Sequence, residues 1–223
     1  MKIILSGYGR MGRMIEGILN EKGIEIVDRS EDICATDPAV AKECVCIDFT
    51  FPESFRKNYK FLAANFKAVV LGTTGWYDIK DEIFAEFEKQ GTPLIWASNF
   101  SIGVNVLFAA VDRISSLLGK TGGYDPYLVE MHHIHKLDAP SGTGASLGRI
   151  VDENMGGKVE IQSVRCGEIP GIHTVGFEGH ADRITITHEA FSREGFARGA
   201  VEAAIYADKL EPGIYEFKDL ILG

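Results

Sequence analysis

Lys2-Ile3-Ile4-Leu5-Ser6-Gly7-Tyr8-Gly9-Arg10-Met11-Gly12 is the stretch that decides the fold of this chain. Residues 2–6 are typical of a buried strand, and they run directly into a Gly-x-Gly-x-x-Gly loop. Residues 13–21 follow with the apolar spacing of an amphipathic helix. In this motif one glycine permits the tight turn, another lets the backbone approach a pyrophosphate, and the last lets the helix pack on the strand. The order of these elements predicts a dinucleotide-binding unit.

A second strand, predicted over residues 24–28, ends in an acidic residue that is followed by a basic one. Asp28 would accept a hydrogen bond from a ribose 2′-hydroxyl, which favours NAD, whereas Arg29 could pair with a 2′-phosphate, which favours NADP. An exposed turn would also explain this pair, because the next residues are Ser, Glu and Asp. The sequence therefore leaves the choice between the two cofactors open.

Up to about residue 101, apolar strands alternate with helices. Strands are predicted at residues 45–50, 67–71 and 93–96, and helices at 53–65 and 78–90. This alternation predicts a parallel sheet with helices on both faces, in which ligands bind at the carboxyl ends of the strands. The polar and glycine-rich residues at that edge are Thr50, Gly72, Thr73, Thr74, Ala97, Ser98, Asn99 and Phe100. Turn chemistry explains any one of them, but their shared edge favours a binding site.

The pattern changes after residue 101. A long apolar helix, a strand at 127–133 and a helix at 145–154 precede three β-rich segments without intervening helices, which predicts a second, antiparallel α+β domain. A final helix is expected to return to the first domain, before a short tail at 215–217. We therefore expect a Rossmann-like dinucleotide-binding domain of residues 1–101 and 193–223 and an α+β substrate domain of residues 102–192.

The run of residues 130–144 holds three of the six histidines, a lysine and a Ser-Gly-Thr turn. Histidine titrates near neutral pH, and lysine is a cation. Ser141, Gly142 and Thr143 open a predicted helix, whose free backbone N–H groups suit a carboxylate or a phosphate. A plain helix cap or a satisfied core histidine would explain any one of these residues. The crowding of complementary types favours a site for an anionic small molecule that gains or loses a proton.

Composition argues against several classes of function. The chain has 223 residues and a net charge of −9, which argues against nucleic-acid binding but allows a small anionic substrate in a local basic pocket. No run of consecutive apolar residues is long enough for a membrane span, and the apolar N-terminal segment is too short for a signal peptide. We therefore expect a cytoplasmic protein. The four cysteines include no Cys-x-x-Cys pair, so neither a metal site nor a disulfide is expected.

These residues resemble the 4-hydroxy-tetrahydrodipicolinate reductase family, also called dihydrodipicolinate reductase, of the lysine and diaminopimelate pathway. Residues 130–143 are similar to the signature E-x-H-H-x-x-K-x-D-A-P-S-G-T of that family. Further matching segments extend over nearly the whole chain, at residues 9–12, 48–50, 72–75, 97–105, 165–167, 171–174 and 187–193.

The resemblance implies a reduction by NADH or NADPH, with hydride added at C4 of the substrate ring. It makes His132 the proton donor and Lys136 the second catalytic residue. The substrate-binding positions that it implies are His133, Ser141, Gly142 and Thr143. The cofactor positions are Gly7, Tyr8, Gly9, Arg10, Met11, Gly12, Asp28, Arg29, Thr50, Gly72, Thr73, Thr74, Ala97, Ser98, Asn99, Phe100 and Arg193. It also implies a homotetramer assembled through the sheet of the second domain, and no metal.

Two departures from the family pattern concern the first domain. Ser6 stands where the family usually has a glycine, one place ahead of the glycine loop. Only eighteen residues separate Asp28 from Ile47, too few for the extra strand and helix of a full dinucleotide fold. The adenosine pocket is therefore open to question, and with it the cofactor preference.

Two rival functions stay in view. Another two-domain dehydrogenase, such as an aspartate dehydrogenase, would share the glycine loop but would not require the run from His132 to Thr143. A nucleotide-sensing protein that kept the fold would bind the cofactor without turnover.

Overall fold

Six strands, all parallel, form the sheet of the first domain. The computed structural model describes residues 1–223, of which 1–101 and 196–223 make up this domain. The strands are β1 Lys2–Ser6, β2 Glu25–Ser30, β3 Cys44–Asp48, β4 Ala68–Leu71, β5 Leu94–Trp96 and, near the end of the chain, β10 Ile214–Glu216. They lie side by side in the order β2-β1-β3-β4-β5-β10.

Helices pack on both faces of this sheet. They are α1 Arg10–Glu21, α2 Pro38–Ala41, α3 Pro52–Asn65, α4 Lys80–Gln90, α7 Glu194–Ala207 and α8 Phe217–Leu222. Alternate residues of β1 enter two separate cores: Ile3 and Leu5 pack with α1 and α7, whereas Ile4 packs with α3 and α4. Both faces of the central strands β3 and β4 are buried, and these strands are almost continuously apolar. The predicted parallel α/β architecture of this domain is confirmed.

The two edges of the sheet hold its least predictable strands. The prediction of a tail at residues 215–217 is wrong, because Ile214–Glu216 pairs in parallel with Leu94–Trp96. Three residues are too few to show a periodicity, so only the neighbouring strand makes this one recognisable. At the other edge, β2 and β3 are joined only by a 3₁₀ turn at Ile33–Ala35 and the four-residue α2, in keeping with the short spacing.

The second domain, residues 102–195, contains a four-stranded mixed sheet. Its helices are α5 Ile102–Thr121 and α6 Gly142–Met155, and its strands are β6 Tyr124–His132, β7 Ile161–Arg165, β8 Ile172–Gly179 and β9 Arg183–Glu189, in the order β7-β6-β8-β9. The prediction of a wholly antiparallel sheet is wrong for one pair, since β7 runs parallel to β6. The reason is that α6 lies between them in the chain and serves as the crossover that a parallel pair requires.

Helix α5 is a core element of the second domain. Leu107 and Val111 of α5 pack with Leu147 of α6 and with Val175 and Phe177 of β8. The helix has 20 residues and a mean hydropathy of 1.4, so by length and composition alone it could also cross a membrane. A core helix of a globular domain has the same properties, and the expectation that no membrane is involved stays a prediction.

Candidate active site

A carboxylate–imidazole pair forms the centre of the second domain's polar cluster. Because side chains alternate along a strand, Glu130 and His132 of β6 point to the same face, towards α6. Glu130 is fully buried and His132 is 7% exposed. An Oε2 atom of Glu130 and the Nδ1 atom of His132 share a short hydrogen bond.

Glu130 is also fixed from its other oxygen. Arg165 of β7 lies beside this pair because β7 runs in register with β6, and its Nη2 donates to Oε1 of Glu130 at 2.7 Å. The same nitrogen donates to the carbonyl oxygen of Asp138 at 2.6 Å. The backbone N–H of Ser141 donates to Oε1 at 3.3 Å. Arg165 therefore joins the carboxylate to the loop that leads into α6.

These contacts determine which nitrogen of His132 can transfer a proton. Burial by itself would raise the pKa of Glu130, but hydrogen bonds from Arg165, Ser163 and His132 outweigh it and lower the pKa to about 2. Glu130 is therefore ionised at neutral pH and acts only as an acceptor. It keeps a proton on Nδ1 of His132, so Nε2 is the nitrogen that gains and loses a proton.

The surroundings of Nε2 are confined. Burial lowers the pKa of His132 below its usual range, and the hydrogen bond to Glu130 opposes that shift. Gly171 lies beside Nε2, and a Cβ atom there would be 3.0 Å from it. The absence of a side chain at position 171 leaves Nε2 room for a reacting partner.

Ser141 and His173 complete the cluster. Ser141 is the N-cap of α6, its hydroxyl oxygen accepting from the N–H of Gly144 at 3.1 Å. Nε2 of His173, on β8, lies 3.0 Å from the same oxygen. Burial and the nearby His132 lower the pKa of His173 to about 4. His173 is therefore a neutral imidazole at neutral pH, and it shares a hydrogen bond with the hydroxyl of Ser141.

Glu130, His132 and His173 have potential metal-ligand atoms within 4.8 Å of one another. The sequence analysis does not predict this grouping, because its third member comes from another strand. Both oxygens of Glu130 already accept hydrogen bonds, and Arg165 balances the negative charge of the carboxylate. These contacts favour a proton-transfer cluster held by its own ion pair over a metal centre.

This cluster gives the protein a testable pH dependence. The pKa of His173 falls from an ordinary 6.5 to about 4 on folding, so the unfolded chain binds more protons between these values. The contribution of His173 to the free energy of unfolding is therefore complete above pH 6.5. It decreases as the pH falls from 6.5 to about 4, by about 3 kcal/mol in total. His132 and His188, whose pKa values are also lowered by burial, act in the same direction.

We expect His173→Gln to reduce this acid-dependent loss, measured as the free energy of unfolding by urea at pH 7.5 and pH 5. The control is His135→Gln, because His135 is 66% exposed and pairs with Glu168 at the surface. His135→Gln is expected to keep the full loss. If the free energy of unfolding depended equally on pH in the parent chain and in His173→Gln, His173 would not be the source of the acid-dependent loss.

Lys136 lies in the loop between β6 and α6. Its Nζ atom pairs with Oδ1 of Asp138 at 2.8 Å, and only 23% of its side chain is exposed. The hydrogen bond from Lys136 lowers the pKa of Asp138. Lys136 is also close enough to depress the pKa of His132 electrostatically. The loop thus brings the predicted cation and the predicted proton donor into one region.

The remaining predicted substrate residues lie around the same loop. His133 is half-buried, donates its backbone N–H to Ile169 and stacks loosely on His135, with ring centroids 5.9 Å apart. Gly142 and Thr143 form the first turn of α6, where backbone N–H groups point out of the helix. The predicted helix start is therefore present, and the hydroxyl of Ser141 is used as its cap.

In the first domain, the glycine loop is packed closely against its own backbone and lies beside an open cavity. Gly7 has a φ of +86°, and a Cβ atom there would lie 2.5 Å from the carbonyl oxygen of Phe49. A Cβ atom on Gly12 would lie 2.4 Å from the carbonyl oxygen of Gly7. A cavity of about 600 Å³ opens beside Gly9, Arg10, Arg13 and Met14, at the start of α1. These features fit a nicotinamide dinucleotide, whose pyrophosphate suits a helix N-terminus flanked by arginines.

A buried carboxylate organises the strand ends next to the loop. Asp48 accepts hydrogen bonds from the hydroxyls of Ser6 and Thr73, each at 2.6 Å, and from the hydroxyl of Thr50 at 3.0 Å. Burial raises the pKa of Asp48, and these hydroxyls oppose the rise. The departure from glycine at Ser6 thus has a structural reason, since its hydroxyl helps to hold Asp48.

Most other predicted cofactor residues lie at the same carboxyl edge. A Cβ atom on Gly72 would lie 2.1 Å from the ring of Phe49, so glycine lets this strand end pack closely against that ring. Residues 97–100 follow β5, with Ala97 and Phe100 buried and Ser98 exposed. Asp28 and Arg29 are exposed near the end of β2. Arg193 does not belong to this domain: it is an exposed residue between β9 and α7.

Comparison with known families assigns both domains. Residues 1–100 match the family described as dihydrodipicolinate reductase, N-terminus, and residues 103–221 match dihydrodipicolinate reductase, C-terminus. The chain belongs to the dihydrodipicolinate reductase family. It is therefore an oxidoreductase that uses NADH or NADPH.

Similarity to individual proteins extends over the whole chain. The chain is 38% identical over 234 residues to 4-hydroxy-tetrahydrodipicolinate reductase of Christiangramia forsetii, covering 99% of this chain and 98% of the relative. It is 33% identical over 256 residues to the protein of the same name from Desulfovibrio desulfuricans, covering 98% of each.

Two solved structures share the fold. Dipicolinate-bound dihydrodipicolinate reductase from Paenisporosarcina sp. TG-14 matches with a TM-score of 0.76 and 21% identity over 99% of both chains. Aspartate dehydrogenase from Thermotoga maritima matches with a TM-score of 0.51 and 14% identity, covering 94% of this chain and 97% of that one. Fold alone therefore does not separate the reductase family from the rival dehydrogenase.

Sequence reasoning missed several residues of the candidate site in this reductase. Glu130 begins the run of residues 130–144 but was given no role. It lies two residues before His132 in a strand, and this spacing predicts that both side chains share a face. Arg165 and His173 lie in segments that match the family but were given no role, because they reach the cluster from other strands. Asp48 lies within a matching motif and is fully buried. The three hydroxyls that donate to its carboxylate come together only in the folded chain.

Proposed function

We propose that this chain reduces 4-hydroxy-tetrahydrodipicolinate to tetrahydrodipicolinate with NADH or NADPH, in lysine and diaminopimelate biosynthesis. The observation that carries the proposal is the Glu130–His132 pair. Its ionised carboxylate presents Nε2 of His132 as the transferable position, in the same loop region as the cation of Lys136. A site of this kind suits a small dicarboxylate that must receive a proton.

In the proposed reaction the hydroxylated ring loses water, hydride adds at C4, and a proton arrives at the adjacent carbon. The nicotinamide, when bound, supplies the hydride. Negative charge then builds on the adjacent carbon and its conjugated acceptor. Lys136 stabilises that charge, and His132 quenches it by transferring the proton from Nε2.

The low pKa of His132 fits this role once the substrate is considered. In the free protein burial disfavours the imidazolium. Two substrate carboxylates nearby would favour it again, because opposite charges within a few ångströms stabilise each other. The substrate would therefore bring its own proton donor into the charged form that can release a proton.

The substrate carboxylates have two suitable partners in this domain. Lys136 pairs with Asp138, 57% of whose side chain is exposed, and a substrate carboxylate could replace that partner. The first turn of α6, at Gly142 and Thr143, would receive the other carboxylate through its N–H groups. We assign His133 and Ser141 to the wall of this site, with the hydroxyl of Ser141 holding the turn in place.

The dinucleotide is assigned to the first domain. Residues 7–12 would hold the pyrophosphate, and Asp28 and Arg29 would contact the adenosine ribose. The rest of the dinucleotide would lie along the strand ends at Thr50, 72–74 and 97–100. Arg193 is a further proposed cofactor residue, on the family resemblance. The support is the glycine loop, whose tight turn requires glycine at positions 7 and 12, and the cavity at the start of α1.

Glu130→Gln tests Glu130 as a positioning residue. We expect kcat to fall about 10- to 100-fold, the equivalent of one charge-assisted hydrogen bond. Because Glu130 raises the pKa of His132, its loss should also move the alkaline limb of the kcat/KM profile to lower pH. The matched control is Glu168→Gln, which removes a carboxylate from the surface pair with His135 at 3.1 Å. An unmoved pH profile in Glu130→Gln would leave it only a structural role.

The overall proposal is tested by a coupled assay. Dihydrodipicolinate synthase, pyruvate and aspartate semialdehyde generate the substrate, and oxidation of NADH or NADPH is followed by its absorbance. We expect turnover that depends on the synthase. Turnover with oxaloacetate and ammonia instead would favour the aspartate dehydrogenase rival, and cofactor binding without either reaction would favour the nucleotide-sensing one.

We further propose a cytoplasmic homotetramer that binds neither membranes nor nucleic acids. The helices of the second domain pack on one face of its sheet through Leu128, Val175 and Phe177. The alternate residues, such as Val129 and Thr174, form the opposite face, which is available to a second copy. The net charge of −9 opposes binding to nucleic acids or anionic membranes. Sedimentation equilibrium of the purified chain measures the subunit number.

A further inference from the structure

Glu16 joins three parts of the first domain that surround the proposed adenosine site. It lies on α1, one turn after Gly12. Its Oε1 atom accepts from Nε of Arg29 at 2.5 Å and lies 2.5 Å from Nη2 of the same side chain. Its other oxygen accepts a short hydrogen bond from the hydroxyl of Tyr8, in the glycine loop. The helix, the loop and the end of β2 are thus connected through one carboxylate.

In this arrangement the positive charge of Arg29, which a 2′-phosphate would need, is already paired with Glu16. Arg29 is engaged through two of its nitrogens, and 19% of the Glu16 side chain is exposed against 37% of Arg29. Hydrogen bonds from Tyr8 and Arg29 lower the pKa of Glu16, so the carboxylate is ionised at neutral pH. A planar guanidinium already paired with a carboxylate has less to offer a second anion.

The two cofactors differ at the group that would meet these residues. NADPH carries a 2′-phosphate with nearly two negative charges, whereas NADH has a neutral hydroxyl there. The hydroxyl can donate to the carboxylate of Asp28. The phosphate would meet the carboxylates of Asp28 and Glu16, and it would have to displace Glu16 from Arg29.

We infer that Glu16 determines cofactor specificity: by holding Arg29, it makes this reductase bind NADH in preference to NADPH. The inference rests on the proposed assignment of the dinucleotide to residues 7–12, Asp28 and Arg29. Asp28 and Arg29 leave the choice between NADH and NADPH open in the sequence. The inference resolves that choice through Glu16.

The test is the dissociation constant of each cofactor, measured by isothermal titration calorimetry without substrate. The parent chain should bind NADH at least about 10-fold more tightly than NADPH. Glu16→Gln removes the charge but keeps an acceptor for Tyr8. It should tighten NADPH binding on the order of 10-fold, the size of one charge-assisted hydrogen bond, and change NADH binding less than about 2-fold.

Two further variants make the test specific. Glu16→Gln combined with Arg29→Ala should lose the gain for NADPH, because the freed guanidinium is its source. Glu21→Gln removes another carboxylate of α1, one that pairs with Arg198 at 3.3 Å, and should leave both constants unchanged. A gain that survives without Arg29 would point to another cation, such as Arg13, and would overturn the inference.

Other outcomes are equally decisive. Equal effects of Glu16→Gln on both cofactors, or a parent chain that prefers NADPH, would overturn the role of Glu16. Binding of neither cofactor would overturn the site assignment as well. If the predicted shift is found but the coupled assay shows no turnover, the inference stands and the proposed reaction fails. If Glu16→Gln does not fold, a parent chain that binds NADPH as tightly as NADH would still overturn the inference.

Discussion

Replacing His132 with Gln is expected to lower kcat about 10²- to 10⁴-fold, the usual contribution of a positioned general acid. Glutamine fills much of the same space and can still contact Glu130, but it cannot transfer a proton. The binding constants for NADH and NADPH should stay within about 2-fold, because His132 belongs to the second domain. Steady-state kinetics in the coupled assay and calorimetry of cofactor binding measure the two effects separately.

His135→Gln is the matched control for this variant. It lies in the same histidine run, but its side chain is 66% exposed and its partner is the surface residue Glu168. We expect its kcat to equal that of the parent chain. A similar loss in both variants would mean that the run is needed for folding or binding, and a full rate in His132→Gln would remove it as the proton donor.

Lys136→Ala is expected to lower kcat about 10²- to 10³-fold, the magnitude found when one group that stabilises transition-state charge is removed. Lys136 should also contribute to binding of the diacid. Its loss should therefore weaken binding of dipicolinate, a stable pyridine diacid, while leaving both cofactor constants nearly unchanged.

Lys120→Ala, at the exposed end of α5, provides the matched loss of a positive charge in the same domain. It should change neither kcat nor dipicolinate binding. If Lys136→Ala lost cofactor binding instead, the division of labour between the two domains would be wrong. If Lys136→Ala bound dipicolinate normally and turned over at the parent rate, Lys136 would pair only with Asp138 and would have no role in binding or catalysis.

The first domain was largely predictable because its decisive signals are local. A buried strand, a glycine loop and an amphipathic helix follow one another within the first 21 residues, and each is recognised by periodicity or by the geometry that glycine permits. The same holds for the strand ends at Thr50 and residues 72–74, since parallel strands all end at one edge. The three-residue β10 escaped prediction because its strand character comes only from pairing with β5.

The second domain was less predictable because its arrangement depends on register between distant segments. The run from Glu130 to Thr143 predicts a proton-transferring anion site, but not the partners that surround His132 and Ser141. Arg165 meets Glu130 across 35 positions of sequence because α6 returns the chain for a parallel pairing of β7 with β6. His173 meets Ser141 across 32 positions through the antiparallel pairing of β8 with β6.

By itself, then, the sequence determined the two-domain plan, the glycine loop and the residue types of a proton-transferring anion site. Only the tertiary structure decided which nitrogen of His132 is free, how Lys136 is paired, and that Glu16 holds Arg29. The physical reason is that backbone periodicity is written into neighbouring residues. The ionisation and orientation of a side chain depend instead on burial and on charges brought from other elements of the fold.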